Sequence, residues 1–147
     1  MDVKVRIDPA APGLSVTITA PAAAMTDEVR ALAARLSNRD ALLMAWDGET
    51  AVPLRAEDIL RCYGEDKGVK VQTIGGVYDL RERLYELEGK LDRHAFVRIS
   101  HSEIVNLGKV TALDLSLTGT IRMTLAGDTV CYVSRRYVKK IKEALGL

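Results

Sequence analysis

The sequence has no long hydrophobic run and few aromatic residues. None of its apolar stretches approaches the roughly 20 residues that a membrane-spanning helix needs, and its first four residues lack the charged and then apolar plan of a signal peptide. We therefore expect a cytoplasmic protein that does not insert into a membrane. Aromatic residues make up 5% of the chain while hydrophobic residues make up 48%, which predicts an aliphatic core.

Cysteine and histidine are also scarce, with two of each. Cys62 and Cys131 lie in apolar, strand-like runs, without the close spacing of a metal-binding or redox pair. We predict that both are buried, reduced thiols. Because a structural zinc site needs a Cys/His cluster, no metal and no cofactor are expected.

The residue patterns of the common catalytic sites are missing. His94 and His101 have no Ser/Asp or Cys/Asp partners arranged as a triad. Gly75-Gly76 lacks the following lysine of a phosphate-binding loop, and Glu65-Asp66, beside Lys67, is typical of solvated charge. The sequence therefore predicts a protein that is not an enzyme.

Positive charge is concentrated in the second half of the chain. Residues 1–60 carry 6 Lys and Arg against 9 Asp and Glu, whereas residues 61–147 carry 15 against 11. A modest positive excess suits a surface that faces phosphates, although a charge of this size is also typical of a solvated exterior.

The 147 residues leave room for one core and one small appended unit. Residues 1–45 are predicted to form this unit, a β-β-α arrangement with strands near 3–7 and 14–18 and a helix from Thr26 to Ser37-Asn38. Thr26 is placed to cap the helix, and acids follow in its first turn. Such a small unit must pack on the rest of the chain or on a second subunit, so it is a candidate for dimerisation.

Residues 46–147 are predicted to form a β-rich α+β domain. Short apolar runs separated by turn residues predict strands near 42–46, 51–54, 59–63, 69–73, 77–78, 95–99, 104–105, 110–115, 120–125 and 130–133. Gly75-Gly76 is a hairpin signal. The leucines at positions 80, 84, 87 and 91 predict an amphipathic helix, and a last helix runs from a cap at Ser134 to a stop at Gly146. The domain thus has two or three helices in all.

Three stretches of this domain, in the same order along the chain, resemble the LytTR family of bacterial DNA-binding domains. The first is a strand, a charged loop and a strand ending in Thr73, followed by the helix near 84–88. The second, residues 96–107, has an aromatic residue and Arg98 leading to a serine turn, two apolar residues and Asn106. The third is the strand-to-helix element at 133–142.

The resemblance implies an elongated antiparallel β-sandwich of short strands whose loops, rather than a recognition helix, enter successive major grooves of double-stranded DNA. Carried over by position, Lys67, His101 and Arg136 would face the DNA. Arginine can contact guanine or a phosphate with two hydrogen bonds, histidine can give one to a base edge, and lysine supplies charge to a phosphate. At Ser100-His101 the sequence departs from the commonest family pattern, where His is followed by Arg or Asn.

Four further residues join the candidate DNA-binding set: Arg98, Ser100, Arg135 and Lys139. Arg98 is either in a surface ion pair or in contact with a phosphate. Two arginines in the first turn of the last helix oppose its dipole, and an external phosphate would relieve this conflict. The alternative is that the cations of this helix form a solvated face. Asn106 is assigned to structure, as a side chain that bonds the backbone at a tight turn.

The leading hypothesis is therefore a cytoplasmic bacterial transcriptional regulator that binds DNA as a homodimer on two half-sites, with a possible regulatory protein partner. A different class of function remains open on the residues alone. The acidic N-terminal segment and near-neutral total charge also fit a protein-interaction or ligand-sensing module that does not bind DNA.

Overall fold

The computed structural model of the chain describes residues 2–37 and 42–147. These residues form three helices and ten strands, and the strands build two antiparallel sheets. In chain order the elements are α1 Asp27–Ser37, β1 Leu42–Asp47, β2 Thr50–Arg55, β3 Ile59–Glu65, β4 Gly68–Thr73, β5 Gly76–Leu80, α2 Leu84–Lys90, β6 Phe96–Ser100, β7 Glu103–Asn106, β8 Val110–Asp114, β9 Ile121–Leu125, β10 Thr129–Val133 and α3 Arg135–Ala144.

The large sheet has seven strands in the order β2-β1-β5-β4-β3-β7-β6, and the small sheet has three in the order β10-β9-β8. Helix α2 covers one face of the large sheet, while the small sheet and α3 cover part of the other. The predicted β-rich α+β class with antiparallel strands and two or three helices is confirmed, and the described residues contain three helices.

Two aliphatic cores hold these layers together, because successive side chains of a strand point to opposite faces of its sheet. The first core lies under α2 and is lined by Leu43, Ala45, Ile59, Cys62, Val71, Leu80, Leu87, Leu91, Phe96 and Ile104. The second lies under the small sheet and α3 and is lined by Leu60, Val97, Ile99, Val105, Ile121, Met123, Leu125, Cys131, Val133 and Ile141. Phe96 is the only phenylalanine of the chain, so both cores are mainly aliphatic, as predicted.

A polar network joins the two sheets at the edge of the second core. Arg61 on β3 donates from Nε to Gln72 Oε1 and from Nη1 to Glu103 Oε2, each at 2.7 Å. Gln72 in turn donates to Thr129 Oγ1 on β10 at 3.0 Å. These hydrogen bonds use the polar atoms of half-buried side chains, so they fix the position of the small sheet without leaving those atoms unpaired.

The N-terminal prediction is only partly confirmed. Helix α1 begins at Asp27, and Thr26 Oγ1 accepts a hydrogen bond from Val29 N at 3.2 Å, as the capping residues indicate. Asn38, the predicted helix end, lies outside the described residues. The two predicted strands are wrong: residues 2–26 contain no strand, and Val3 is 81% exposed. Alternating apolar residues form a stable hairpin only where something covers their apolar face, and in the described part of the chain most apolar residues of these two segments are exposed.

Two local predictions near β5 also need correction. Leu80 ends β5, and α2 begins only at Leu84, so the predicted helix was too long at its start. The hairpin turn before β5 is Ile74-Gly75, because Gly76 pairs with Thr73.

Among the described residues, no helix has the length and hydrophobicity to cross a membrane.

Asn106 is the buried polar residue that closes β7. Its Nδ2 donates to Ile59 O and its Oδ1 accepts from Gly108 N, both at 2.9 Å, which confirms the structural role predicted for it. We expect Asn106→Ala to lower the free energy of unfolding by about 1–3 kcal/mol, since Ile59 O would be left without its partner in a buried site. Urea denaturation measures this, and a change below about 0.5 kcal/mol would contradict the assigned role.

Candidate nucleic-acid interface

Several turns of the domain meet at one end, which we call the loop end: residues 66–67, 81–83, 101–102 and 134–136. Gly64 N donates to Ser102 O at 2.9 Å, which joins the first and third turns. Val69 pairs with Leu80, so β5 also ends there. Ser134 N donates to Ile99 O at 2.8 Å, which brings the start of α3 beside the end of β6. The loop end therefore gathers three predicted DNA-facing residues, Lys67, His101 and Arg136, from distant parts of the sequence.

Lys67 lies at the tip of the β3–β4 hairpin. Asp66 and Lys67 have φ angles of 49° and 66°, the left-handed values of a two-residue type I′ hairpin turn. Non-glycine residues adopt this region uncommonly, and lysine is not among those favoured there. The turn leaves the Lys67 side chain exposed beyond the ends of the strands.

His101 lies at the tip of the neighbouring β6–β7 hairpin and is also exposed. Ser100 is half-buried, and its Oγ accepts a hydrogen bond from Ser102 N at 3.3 Å across the turn. The serine side chain therefore stabilises the turn that presents His101. This geometry gives Ser100 a positioning role, next to a histidine whose ring is open to solvent.

Arg98 is the least accessible member of the predicted set. Its side chain is 15% exposed, and its Nη1 lies 3.2 Å from Glu88 Oε1 on α2. Of the two alternatives that the sequence left open for Arg98, this geometry favours the ion pair. The pair ties α2 to β6 close to the β6–β7 turn.

Helix α3 places its cations on the solvent side of the loop end. Arg135, Arg136 and Lys139 are all exposed, and Ser134 precedes the helix without accepting a side-chain capping bond. The Arg135 guanidinium lies against Gly119, where a Cβ atom would stand 3.0 Å from Arg135 Nε. Gly119 has a φ of 74°, a left-handed conformation that favours glycine, whereas the exposed Arg135 side chain could move away from an added Cβ atom.

The structure adds two arginines that the sequence analysis missed. Arg81 and Arg83 lie in the β5–α2 loop, which is part of the loop end. Both side chains are exposed there. The leucine periodicity placed them inside a helix, as ordinary charge between its apolar positions. The signal that could have placed them in a loop is the run of three charged residues, Arg81, Glu82 and Arg83, directly after the strand that ends at Leu80.

The cations of the loop end are mostly without acidic partners. Within residues 2–37 and 42–147, no carboxylate oxygen lies within 4.0 Å of the charged groups of Lys67, Arg81, Arg83, Arg135 or Arg136. Unpaired cations grouped at one end of a domain attract polyanions, because their fields add. This arrangement can bind phosphates and donate hydrogen bonds to base edges.

The two cysteines are buried, free thiols, as predicted. Burial, with the Glu82 carboxylate nearby, raises the pKa of Cys62 to about 12. Burial, with Glu103 as a second cause, raises the pKa of Cys131 to about 12 as well. At pH 8 the reactive thiolate is therefore a very small fraction of either thiol.

We expect both thiols to resist a thiol reagent such as iodoacetamide in the folded protein at pH 8. They should react readily once urea unfolds the chain, because the pKa values then return to the ordinary thiol range. Mass spectrometry of the labelled chain measures this. Rapid labelling of the folded protein would contradict the burial of the two sites.

Comparison with known proteins supplies independent findings. A family model described as the LytTr DNA-binding domain matches residues 49–146. Two proteins, each described as an uncharacterized HTH-type transcriptional regulator, come from Staphylococcus aureus strains NCTC 8325 and MRSA252. They are 42% and 40% identical to this chain over 94 residues. The matches cover 64% of this chain and 63% of those proteins, so the similarity leaves more than a third of each relative unmatched.

One solved structure with the same fold is described as a LytTr DNA-binding domain from Bacillus cereus. The match has a TM-score of 0.69 and covers 72% of this chain and 97% of that one, at 20% sequence identity. At this identity the likeness concerns the fold alone. It agrees with the two-sheet architecture described above.

Proposed function

Because this chain belongs to the LytTR family of DNA-binding domains, we propose that it is a transcriptional regulator that binds double-stranded DNA sequence-specifically through its loop end. The observation that carries the proposal is the grouping of Lys67, His101 and Arg136 at one end of the domain. Loops carry the recognition in this proposal, since α2 and α3 are separated by five strands and do not form a helix-turn-helix pair.

Each of the three residues has a chemical role in the proposal. Arg136 contacts a guanine edge with two hydrogen bonds, for which its planar guanidinium is suited. His101 gives a single hydrogen bond to a base, and Lys67 contacts a phosphate. Arg135 and Lys139 add phosphate contacts on the α3 side. Ser100 and Arg98 hold the β6–β7 turn and act through His101.

The remaining parts of the proposal concern assembly and control. The DNA-binding domain, predicted over residues 46–147, also includes the whole of β1, which begins at Leu42 and pairs within the large sheet. The residues before β1 form a unit that pairs two chains, so that a homodimer occupies two half-sites in the cytoplasm. The exposed apolar residues of 2–26 support this, because pairing would remove them from water. A regulatory protein partner, acting on the same unit, would control the activity.

Titration of labelled DNA with the full chain tests the proposal. The probe is the DNA upstream of the protein's own gene, with random DNA of equal length as the reference, measured by fluorescence anisotropy at several salt concentrations. We expect tighter binding to the upstream DNA and a fall in log K of about 0.9 per contacted phosphate for each decade of salt. Equal binding to both DNAs, or binding without salt dependence, would leave an interaction or sensing module as the better account.

A further inference from the structure

A shallow groove of about 440 Å³ crosses the loop end. The β3–β4 turn with Lys67 and the β6–β7 turn with His101 both line it, and the loop between β5 and α2 contributes Arg81, Glu82 and Arg83. This third segment belongs to none of the stretches to which DNA contact was assigned above. The β5–α2 loop thus lies beside two turns that are proposed to contact DNA.

The charge of the groove is strongly positive once internal pairs are set aside. Glu82, the acidic residue among its lining residues, has its Oε1 3.1 Å from Lys90 Nζ. Arg98 is paired with Glu88. Three cations then remain uncompensated by carboxylates in the groove: Lys67, Arg81 and Arg83.

The guanidinium of Arg81 is held in place by stacking. Its Cζ lies 3.4 Å from the centroid of the Trp46 ring on β1. Stacking uses the face of the guanidinium and leaves its N–H groups free to donate in the plane, which is how arginine contacts a phosphate. Trp46, the single tryptophan of the chain, thus pre-orders the arginine before any ligand arrives.

Arg83 is fixed by its backbone. Its N–H donates to Glu86 Oε1 at 3.2 Å, which sets the position where the chain enters α2. The side chain lines the groove beside that of Arg81. One short loop therefore presents two cations. Arg81 is stacked on the Trp46 ring, and Arg83 is positioned by the backbone at the start of α2.

We propose that the β5–α2 loop is a fourth DNA-contacting segment, in which Arg81 and Arg83 bind backbone phosphates. This inference rests on the proposed function. The loop reads no base sequence in this role: it sets the register of the domain on the duplex, while His101 and Arg136 contact bases. An open, exposed groove suits a continuous phosphate backbone better than a small anion, which would need an enclosed site.

The test compares Arg81→Gln, Arg83→Gln and the double variant with wild type, on upstream and random DNA over a range of salt. The matched control is Arg93→Gln, which makes the same charge change at an exposed residue before β6, at the other end of that strand from His101. Each single substitution should weaken binding roughly five-fold at 0.15 M salt and lower the salt slope by about 1. The double variant should combine the losses of affinity and of salt slope that the two single variants show, while Arg93→Gln should match wild type.

Two further readouts separate a phosphate contact from a structural effect. The ratio of affinities for upstream and random DNA should stay unchanged in all Gln variants, because phosphates are the same in both DNAs. Arg81→Lys should bind between wild type and Arg81→Gln, since it keeps the charge but not the planar stack on Trp46.

The inference is overturned if wild type binds DNA but the double variant keeps its affinity and salt slope, or if the double variant no longer prefers upstream DNA. If wild type itself shows no salt-dependent DNA binding, the proposed function fails and this inference fails with it. A double variant weakened as much as expected, with its circular dichroism spectrum and melting temperature unchanged, supports the inference.

Discussion

Arg136→Ala is expected to weaken binding to the target DNA by about 1–3 kcal/mol, or roughly 5- to 150-fold. The reason is that Arg136 is exposed at the start of α3, in the described part of the chain has no carboxylate within ion-pair distance, and carries a planar guanidinium suited to guanine. Adding His101→Ala should reduce the preference for target over random DNA to near one, because the base contacts would then be gone, and adding Lys67→Ala should weaken binding to both DNAs alike.

Competition titration against random DNA measures this effect, and Arg93→Ala is the control. Arg93 is an exposed arginine outside the loop end, so its removal should change neither affinity nor preference. A triple variant that still discriminates target from random DNA would show that sequence recognition lies elsewhere on the domain. Weakened binding in the control would show that overall charge, not the loop end, dominates.

Ile141→Ala is expected to lower the free energy of unfolding by about 2–5 kcal/mol. Ile141 is 0% exposed and is the fully buried residue through which α3 packs into the second core. Its truncation leaves a cavity between α3 and the sheets that the surrounding residues fill only in part. Because the same helix carries Arg135 and Arg136, DNA affinity should fall together with stability.

Urea denaturation and DNA titration of the same samples measure both effects. Lys140→Ala, one position earlier on the exposed side of α3, is the matched control and should change stability by less than about 0.5 kcal/mol. If Ile141→Ala reduced stability by less than about 1 kcal/mol, α3 would not be held by the second core. If it reduced stability while keeping full DNA affinity, the position of α3 would not matter for binding.

The local pattern of the sequence predicted most strands of the domain, because alternation and turn residues are local properties. It could not predict which turns meet. Lys67, His101 and Arg136 became neighbours through β3–β7 pairing and the Ser134–Ile99 hydrogen bond, which join residues far apart in the chain. Only the family resemblance anticipated that grouping.

The missed arginines have a specific physical cause. The leucines at 80, 84, 87 and 91 all pack in or against the first core, so their spacing fits one continuous helix. In the structure, Leu80 reaches that core from a strand and Leu84 and Leu87 reach it from α2. Periodicity indicates which side chains are buried, and here it did not distinguish the strand from the helix. The loop between them, with Arg81 and Arg83, was therefore hidden.

The prediction of two N-terminal strands failed for the opposite reason. Their alternation is clear in the sequence, yet strands need a paired neighbour and a covered face. Within residues 2–37 and 42–147, the segment 2–26 pairs with no strand and most of its apolar residues stay exposed. Local pattern indicates what a segment could bury. It does not indicate whether the surface that would cover it lies in the same chain.

Amide chemical shifts of the isotopically labelled chain, recorded by NMR with and without its upstream DNA, test the central claim most directly. DNA should shift and broaden amides at residues 66–68, 81–83, 101–102 and 135–136. Amides at 92–95 and 107–109, at the other end of β6 and β7, should stay unchanged. Shifts concentrated at 92–95 and 107–109, with the loop end unaffected, would contradict the proposal that this protein binds DNA through its loop end.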